Sequence, residues 1–137
     1  MQRSRTGRLR RVLTTVGTMA AAGALVGTMS TEAYAANLEV GTVGTSSWTS
    51  GAGVARYQEY GDYLTLSDRA ADGASVYGFL TDMNDKTLRA KTFSGGAGSS
   101  RTWNFNLPEG KQIFLYVCLK DNGEIQDTTC KFYRGRA

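Results

Sequence analysis

From Val54 onward, short apolar runs alternate with polar turn residues. In one run Trp103, Phe105 and Leu107 share a parity while polar residues occupy the other, which is the two-residue period of a half-buried strand. No helical period interrupts the series of runs, which are VARYQEY, YLTLS, SVYGFLT, TLRAKTF, RTWNFNL, QIFLYVCLK and TCKFY. Their regular spacing is typical of an antiparallel sandwich or barrel, and we expect an all-β sandwich of about seven to eight short strands over residues 54–137.

The run at residues 113–119 is apolar at both parities, so the pattern predicts a strand that lies centrally or is covered on both faces. Asn122 and Gly123 follow it as a hairpin signal. Cys118 and Cys130 are the only cysteines, and in an exported chain we expect them to form one disulfide. Two registers allow that bond: a five-residue loop over residues 122–126, or an Asn-Gly turn followed by a bulge. The first is preferred, and it also pairs Tyr116 with Phe132.

Aromatic residues divide into two groups. Five lie on strand parities and are expected in the core: Trp103, Phe105, Phe114, Tyr116 and Phe132. Three tyrosines straddle a glycine and cannot all face inward, so some are expected at the surface: Tyr57, Tyr60 and Tyr63.

Residues 36–53 are rich in Gly, Ser and Thr and poor in large apolar groups, which indicates a flexible N-terminal segment that contributes little to the core, or an edge strand that orders only on contact. The segment is the candidate partner-binding element: docked in extended form on another protein's sheet edge, it would use four side chains, Leu38, Val40, Val43 and Trp48. For Trp48 two interpretations stay open, since it either anchors a partner or folds back to plug one end of the sandwich.

The first 35 residues predict a secretory signal peptide, because RSRTGRLRR precedes an uncharged apolar stretch and Ala33-Tyr34-Ala35 fits the cleavage rule. They hold five of the 16 basic and one of the 12 acidic residues, so the remaining chain carries eleven of each. The formal charge of +4 therefore belongs to the export signal. A nucleic-acid partner is excluded on this ground, and after processing no membrane anchor is expected.

Two acidic loops are candidate calcium sites. Asp68 and Asp72 lie four apart before Gly73, and Asp82 and Asp85 are followed by Lys86. Neither spacing matches a calcium loop, and strong turn signals explain both, so we expect structural corners, no bound metal and no cofactor. The glycine-rich run at residues 94–100 lacks a phosphate-binding motif and is expected to be a flexible hairpin loop.

Catalytic candidates are scarce. The chain contains no histidine, which removes Ser-His-Asp and Cys-His pairs and histidine-ligated catalytic zinc. Paired carboxylates are the remaining chemistry, and no pair among the acids is singled out by the sequence. We therefore expect a protein without enzymatic activity.

The run YGDYLTLSDRAADGASVYGFL, with Leu119-Lys120-Asp121 and the cysteine pair, resembles a group of small secreted proteins of filamentous actinobacteria over roughly residues 54–137. The resemblance implies secretion and a β fold and assigns no active site. Some members carry a second cysteine pair, whose absence here leaves the loop at residues 95–100 without a crosslink. In architecture alone, the chain also looks like adaptor subunits of secreted antibacterial toxin particles.

These expectations favour a secreted, non-enzymatic module that binds another secreted protein, with an adaptor subunit of an extracellular complex of toxin type as one form of that role. Two alternatives belong to other classes. A small inhibitor of an extracellular hydrolase requires a rigid exposed loop, and the loop at residues 95–100 is expected to be too flexible, without a crosslink, for that role. A carbohydrate-binding module would use Trp48 and the tyrosines as its platform.

Overall fold

Eight strands and no helix form the part of the chain that the structure, a computed structural model, describes, residues 37–137. The strands are β1 Asn37–Gly41, β2 Gly53–Gln58, β3 Tyr63–Asp68, β4 Ser75–Thr81, β5 Thr87–Phe93, β6 Ser100–Asn104, β7 Gln112–Asp121 and β8 Glu124–Arg136. With no helix present in this range, none is long and apolar enough to cross a membrane. The predicted signal peptide lies outside the described residues.

The strands form two four-stranded sheets whose neighbours all pair antiparallel. Sheet A has the order β1-β2-β3-β6, and sheet B has the order β5-β4-β7-β8. The chain passes from one sheet to the other after β3, β5 and β6, so β5 and β6 are edge strands of different sheets. The all-β sandwich predicted from the alternation is confirmed.

The core lies between the two sheets and is mainly aliphatic. Period-two burial places the odd residues of β7, Ile113, Leu115 and Val117, fully inside, opposite the even residues of β3, Leu64 and Leu66. Side chains at alternate positions of a strand point to opposite faces of its sheet, so the even residues of β7 point outward. The prediction that β7 is central in its sheet is confirmed, and the alternative that it is covered on both faces is wrong.

Residues 37–53 belong to the sandwich. Strand β1 pairs with β2 along its whole length, with Val40 opposite Ala55, and its burial alternates. Leu38 and Val40, 8% and 1% exposed, join the main core cluster. The expectation that residues 36–53 contribute little to the core is therefore wrong for the described part, because β2 and the opposite sheet cover one face of β1.

The β7–β8 hairpin has the second of the two predicted registers. Asn122 and Gly123 form a two-residue turn with φ angles of 50° and 84°, the left-handed pair that tight hairpins require, and Asp121 pairs with Glu124. The ladder then shifts register between Val117 and Leu119. The Asn-Gly turn with a bulge is confirmed, and the preferred five-residue loop is wrong.

The disulfide between Cys118 and Cys130 is confirmed and spans the bulge. Inside the bulge, Thr129 replaces the missing ladder contacts: the Leu119 N–H donates to its hydroxyl over 2.9 Å, and that hydroxyl donates to the Gln126 carbonyl over 2.6 Å. The Thr129 carbonyl accepts a hydrogen bond from the Val43 N–H. The bulge therefore also joins the two sheets at this side of the sandwich.

Candidate functional site

The outer surface of sheet B carries a contiguous group of aromatic side chains. Strand registers place Phe79 opposite Tyr116, and Tyr116 opposite Phe132, so these three rings form one row across β4, β7 and β8. Tyr77 and Phe114 lie beside the row. We call this group the aromatic face, and its members are Tyr77, Phe79, Phe114, Tyr116 and Phe132.

The rings pack on one another rather than flat on the sheet. The Phe79 and Tyr116 centroids are 4.6 Å apart with planes 6° from parallel, and those of Tyr116 and Phe132 are 4.9 Å apart at 28°. Phe114 meets Phe132 edge to face at 5.5 Å, and Tyr77 meets Phe79 at 5.1 Å. Such pairs stabilise a sheet by about 0.2–1 kcal/mol each. This stacking covers both faces of the Tyr116 ring and one face each of Phe79 and Phe132.

Exposure increases toward the edge of sheet B. Tyr77, Phe79, Phe114 and Tyr116 are half-buried by their neighbours, whereas Phe132 on edge strand β8 is 50% exposed. The outer face of an antiparallel sandwich is ordinarily polar. Apolar surface of this kind at the outside of a sheet is typical of a contact surface for another macromolecule.

Cations border the aromatic face at two ends. The Lys120 ammonium lies 4.8 Å from the Tyr77 ring centroid and donates to the Thr92 hydroxyl over 3.3 Å. Arg134 is exposed and pairs with Phe114 across the ladder. The rings thus form an apolar centre with a polar, positively charged rim, the usual arrangement of a protein-binding surface.

The aromatic face corrects the expectation that Phe114, Tyr116 and Phe132 are core residues. Trp103 and Phe105, from the same predicted group, are partly buried and pack against the core cluster. The sequence does signal that the two faces of these strands differ: in β4 and β7 one parity is aliphatic or glycine, while the other carries the aromatic residues. A pattern that counts aliphatic and aromatic residues alike as apolar does not reveal this segregation.

The four predicted partner-binding residues do not form one surface. Leu38 and Val40 are in the core and cannot reach a partner while the domain is folded. Val43 is 40% exposed. Trp48 is partly buried and packs against a small cluster of Ala52, Ala74 and Leu119, which agrees with the alternative in which it covers one end of the sandwich.

Both acidic loops have the hydrogen bonds of turns. Asp68 and Asp72 each accept from the backbone N–H two residues on, that of Ala70 over 3.1 Å and of Ala74 over 3.0 Å. Asp82 accepts from the N–H groups of Lys86 and Asn84, and these bonds, first that from Lys86, lower the pKa of its carboxyl. Within residues 37–137 no group of three acidic or cysteine side chains is arranged to hold a metal ion.

The glycine-rich loop is not a hairpin, because it carries the chain from β5 in sheet B to β6 in sheet A. It is hydrogen-bonded to the loop that holds Asp68 and Asp72, which we call the acidic corner. The Gly98 N–H donates to the Asp68 carbonyl over 2.7 Å, and the Asp68 N–H donates to the Ser99 carbonyl over 3.0 Å. A cavity of about 400 Å³ lies between loop and corner, lined mostly by alanine, serine and glycine together with Asp68. Hydrogen bonds therefore restrain the loop at residues 94–100.

No protein-family model matches this chain, and neither a curated protein nor a solved structure matches it. The site's geometry is thus the ground on which a function is proposed.

Proposed function

We propose that this protein is a secreted, non-enzymatic module that binds another protein through the aromatic face of sheet B. One observation carries the proposal: five contiguous aromatic side chains occupy the outer face of a sheet, where polar residues are the rule. Burying the exposed part of these rings in a contact favours association in proportion to the apolar area removed from water. An adaptor role in an extracellular complex is the form of this function that we favour.

Ring orientation supports a protein partner over a carbohydrate. A sugar stacks on the open face of an aromatic ring, and the stacks at 4.6 Å and 4.9 Å cover the shared faces of Phe79, Tyr116 and Phe132. The apolar surface that these rings leave exposed fits the apolar side chains of another protein, where aromatic residues often supply most of the binding energy.

Secretion is supported by the disulfide, which forms and persists in oxidising compartments. The expected mature N-terminus is Ala36. Intact-mass measurement of the protein recovered from culture medium tests this, since a mass that retains residues 12–29 would contradict cleavage by a signal peptidase.

Binding is tested by immobilising the mature protein and two variants and passing over them medium from cultures of the producing cells. Phe132→Ser removes the most exposed ring of the aromatic face. Tyr60→Ser is the matched control, because Tyr60 is 88% exposed and lies outside the face. Mass spectrometry should identify a protein that is retained by the wild type and by Tyr60→Ser but lost on Phe132→Ser.

The purified partner should then bind Phe132→Ser at least about tenfold more weakly in calorimetry. If the partner is retained equally by the wild type and both immobilised variants, or is lost equally from both variants, the role of the aromatic face is refuted. Retention of the wild type by an insoluble polysaccharide, abolished in Phe132→Ser, would identify the carbohydrate-binding alternative instead. If the protein blocks an extracellular hydrolase and substitutions in residues 95–100 abolish this, the inhibitor alternative is correct.

A further inference from the structure

The open side of the sandwich between β5 and β6 gathers three cations. Strands β5 and β6 are the last strands of sheets B and A and do not pair with each other. Their side chains meet across the gap between the sheets, and these two strands carry no acidic residue. We call the set of Arg89, Lys91, Arg101 and Trp103 the cationic seam.

The seam is organised around aromatic rings. The Arg101 guanidinium lies 5.3 Å and the Lys91 ammonium 5.9 Å from the Trp103 ring centroid. The Arg89 guanidinium lies 5.8 Å from the centroid of Phe105. Cation–π contact holds the charged groups near the rings without neutralising them.

Within residues 37–137, no carboxylate forms an ion pair with Arg89, Lys91 or Arg101. An ion pair joins Arg56 and Glu39 on sheet A. The eleven acids of residues 36–137 balance the eleven cations in number, but none of these acids lies on β5 or β6. The seam is therefore a local excess of positive charge on a molecule that is neutral as a whole.

Protection of the sheet edge explains part of this arrangement. Charged residues on an edge strand discourage a second strand from adding to it. Arg89 adds to this protection, because its Nη1 donates to the neighbouring Leu88 carbonyl over 2.7 Å. The same charges, however, discriminate by sign: they repel a second copy of β5 and attract a strand that carries carboxylates.

We propose that the edge of β5 binds an extended acidic peptide whose carboxylates occupy alternate positions. Arg89 and Lys91 are two residues apart in one strand, so their side chains leave the same face about 6.6–6.8 Å apart. An extended peptide presents every second side chain at the same spacing, which places one carboxylate beside each cation. Main-chain hydrogen bonds to the free edge of β5 supply affinity, and the charges supply the specificity.

Binding of the peptide would free the Arg89 side chain from its hydrogen bond to the Leu88 carbonyl. A backbone N–H of the added strand takes over the Leu88 carbonyl, and the guanidinium turns to a carboxylate, with which it makes a stronger charge-assisted bond. Arg101, on the opposite side of the seam, adds attraction at longer range. This site lies on the open side of the sandwich and is separate from the aromatic face, so it does not depend on the function proposed above.

Calorimetry at low ionic strength with a synthetic peptide tests the proposal. The peptide alternates glutamate with threonine, and its control has the same composition with the glutamates in one block. The protein variant Arg89→Gln/Lys91→Gln keeps the side-chain stems and removes two charges. The matched variant, Lys111→Gln/Lys131→Gln, removes two charges from the loop before β7 and from β8.

The alternating peptide should bind the wild type and the matched variant equally and bind Arg89→Gln/Lys91→Gln at least about tenfold more weakly. Hydrogen exchange should show new protection of β5 amides in the complex, while thermal melting confirms that each variant is folded. Several results would overturn the proposal: no binding by the wild type, equal binding of the block peptide, or equal weakening in the matched variant. Tighter binding of an acidic polysaccharide at the same residues would overturn it too.

Discussion

The Tyr57 hydroxyl donates a hydrogen bond to Oδ1 of Asp62 over 2.5 Å, and both side chains are buried. Asp62 has a left-handed backbone, with φ 53°, and its Oδ2 accepts from the Leu107 N–H over 3.0 Å. Its carbonyl accepts from the Phe105 N–H over 2.8 Å. One buried carboxylate thus joins the β2–β3 hairpin to the segment between β6 and β7.

Tyr57→Phe should lower the free energy of unfolding by about 1–3 kcal/mol, because a buried acceptor of Asp62 is left without its donor. Urea denaturation measures this. Tyr60→Phe, on a fully solvated ring, should change stability by no more than about 0.5 kcal/mol. Equal effects of the two substitutions would contradict a structural role for the buried pair.

The Tyr57–Asp62 pair also predicts that the free energy of unfolding falls at alkaline pH. Burial, and next the hydrogen bond to Asp62, raise the pKa of Tyr57 above its ordinary value of 10.0. From about pH 10 upward the unfolded chain releases this proton while the folded protein keeps it, so Tyr57's contribution to stability is complete below that pH and declines above it. The stability advantage of wild type over Tyr57→Phe should therefore narrow between about pH 9 and 11. A constant advantage over this range would refute the assignment.

Strand β1 offers a direct comparison of a core and a surface position. Leu38→Ala should cost about 2–5 kcal/mol, since the side chain lies in the main cluster and its removal leaves a cavity. Val43→Ala, a few residues on and 40% exposed, should stay within about 0.5 kcal/mol. Thermal melting of both variants checks this. Two nearly unchanged melting temperatures would mean that β1 is dispensable to the fold.

The bulge in β8 depends on a single hydroxyl. Thr129→Val removes the acceptor of the buried Leu119 N–H and should cost about 1–3 kcal/mol with the disulfide intact. Thr128 is exposed, and Thr128→Val should be nearly neutral. Chemical denaturation of the oxidised proteins compares them, and an equal loss for both would show that Thr129 does not organise the bulge.

The acidic corner should be indifferent to calcium. Asp68→Asn/Asp72→Asn keeps the side-chain oxygens that accept from Ala70 and Ala74, so the melting temperature should change little. Millimolar calcium should not stabilise the wild type. A rise of several degrees with calcium, abolished by the double substitution, would identify a metal site there.

Local chemistry made several features of this fold predictable from sequence. Alternation between large and small, apolar and polar residues indicated strands, because a strand places successive side chains on opposite faces. Asn122-Gly123 specified a tight turn. A bulge after that turn sets the register in which Cys118 bonds to Cys130 and Tyr116 lies opposite Phe132. Each of these depends on neighbours within one strand or one hairpin.

Only the tertiary structure decided which parity of a strand faces the core. A period of two says that Phe114 and Tyr116 share a face, but not whether another sheet covers it. Sheet A packs against the aliphatic parity of β7, and the aromatic parity is left outside. The same holds for Leu38 and Val40: their five-residue strand looks unremarkable alone, and it is buried because β2 pairs with it and Gly135 of sheet B leaves room for Leu38. Likewise Arg89, Lys91 and Arg101, separated in sequence, become one charged seam because β5 and β6 end their sheets on the same side.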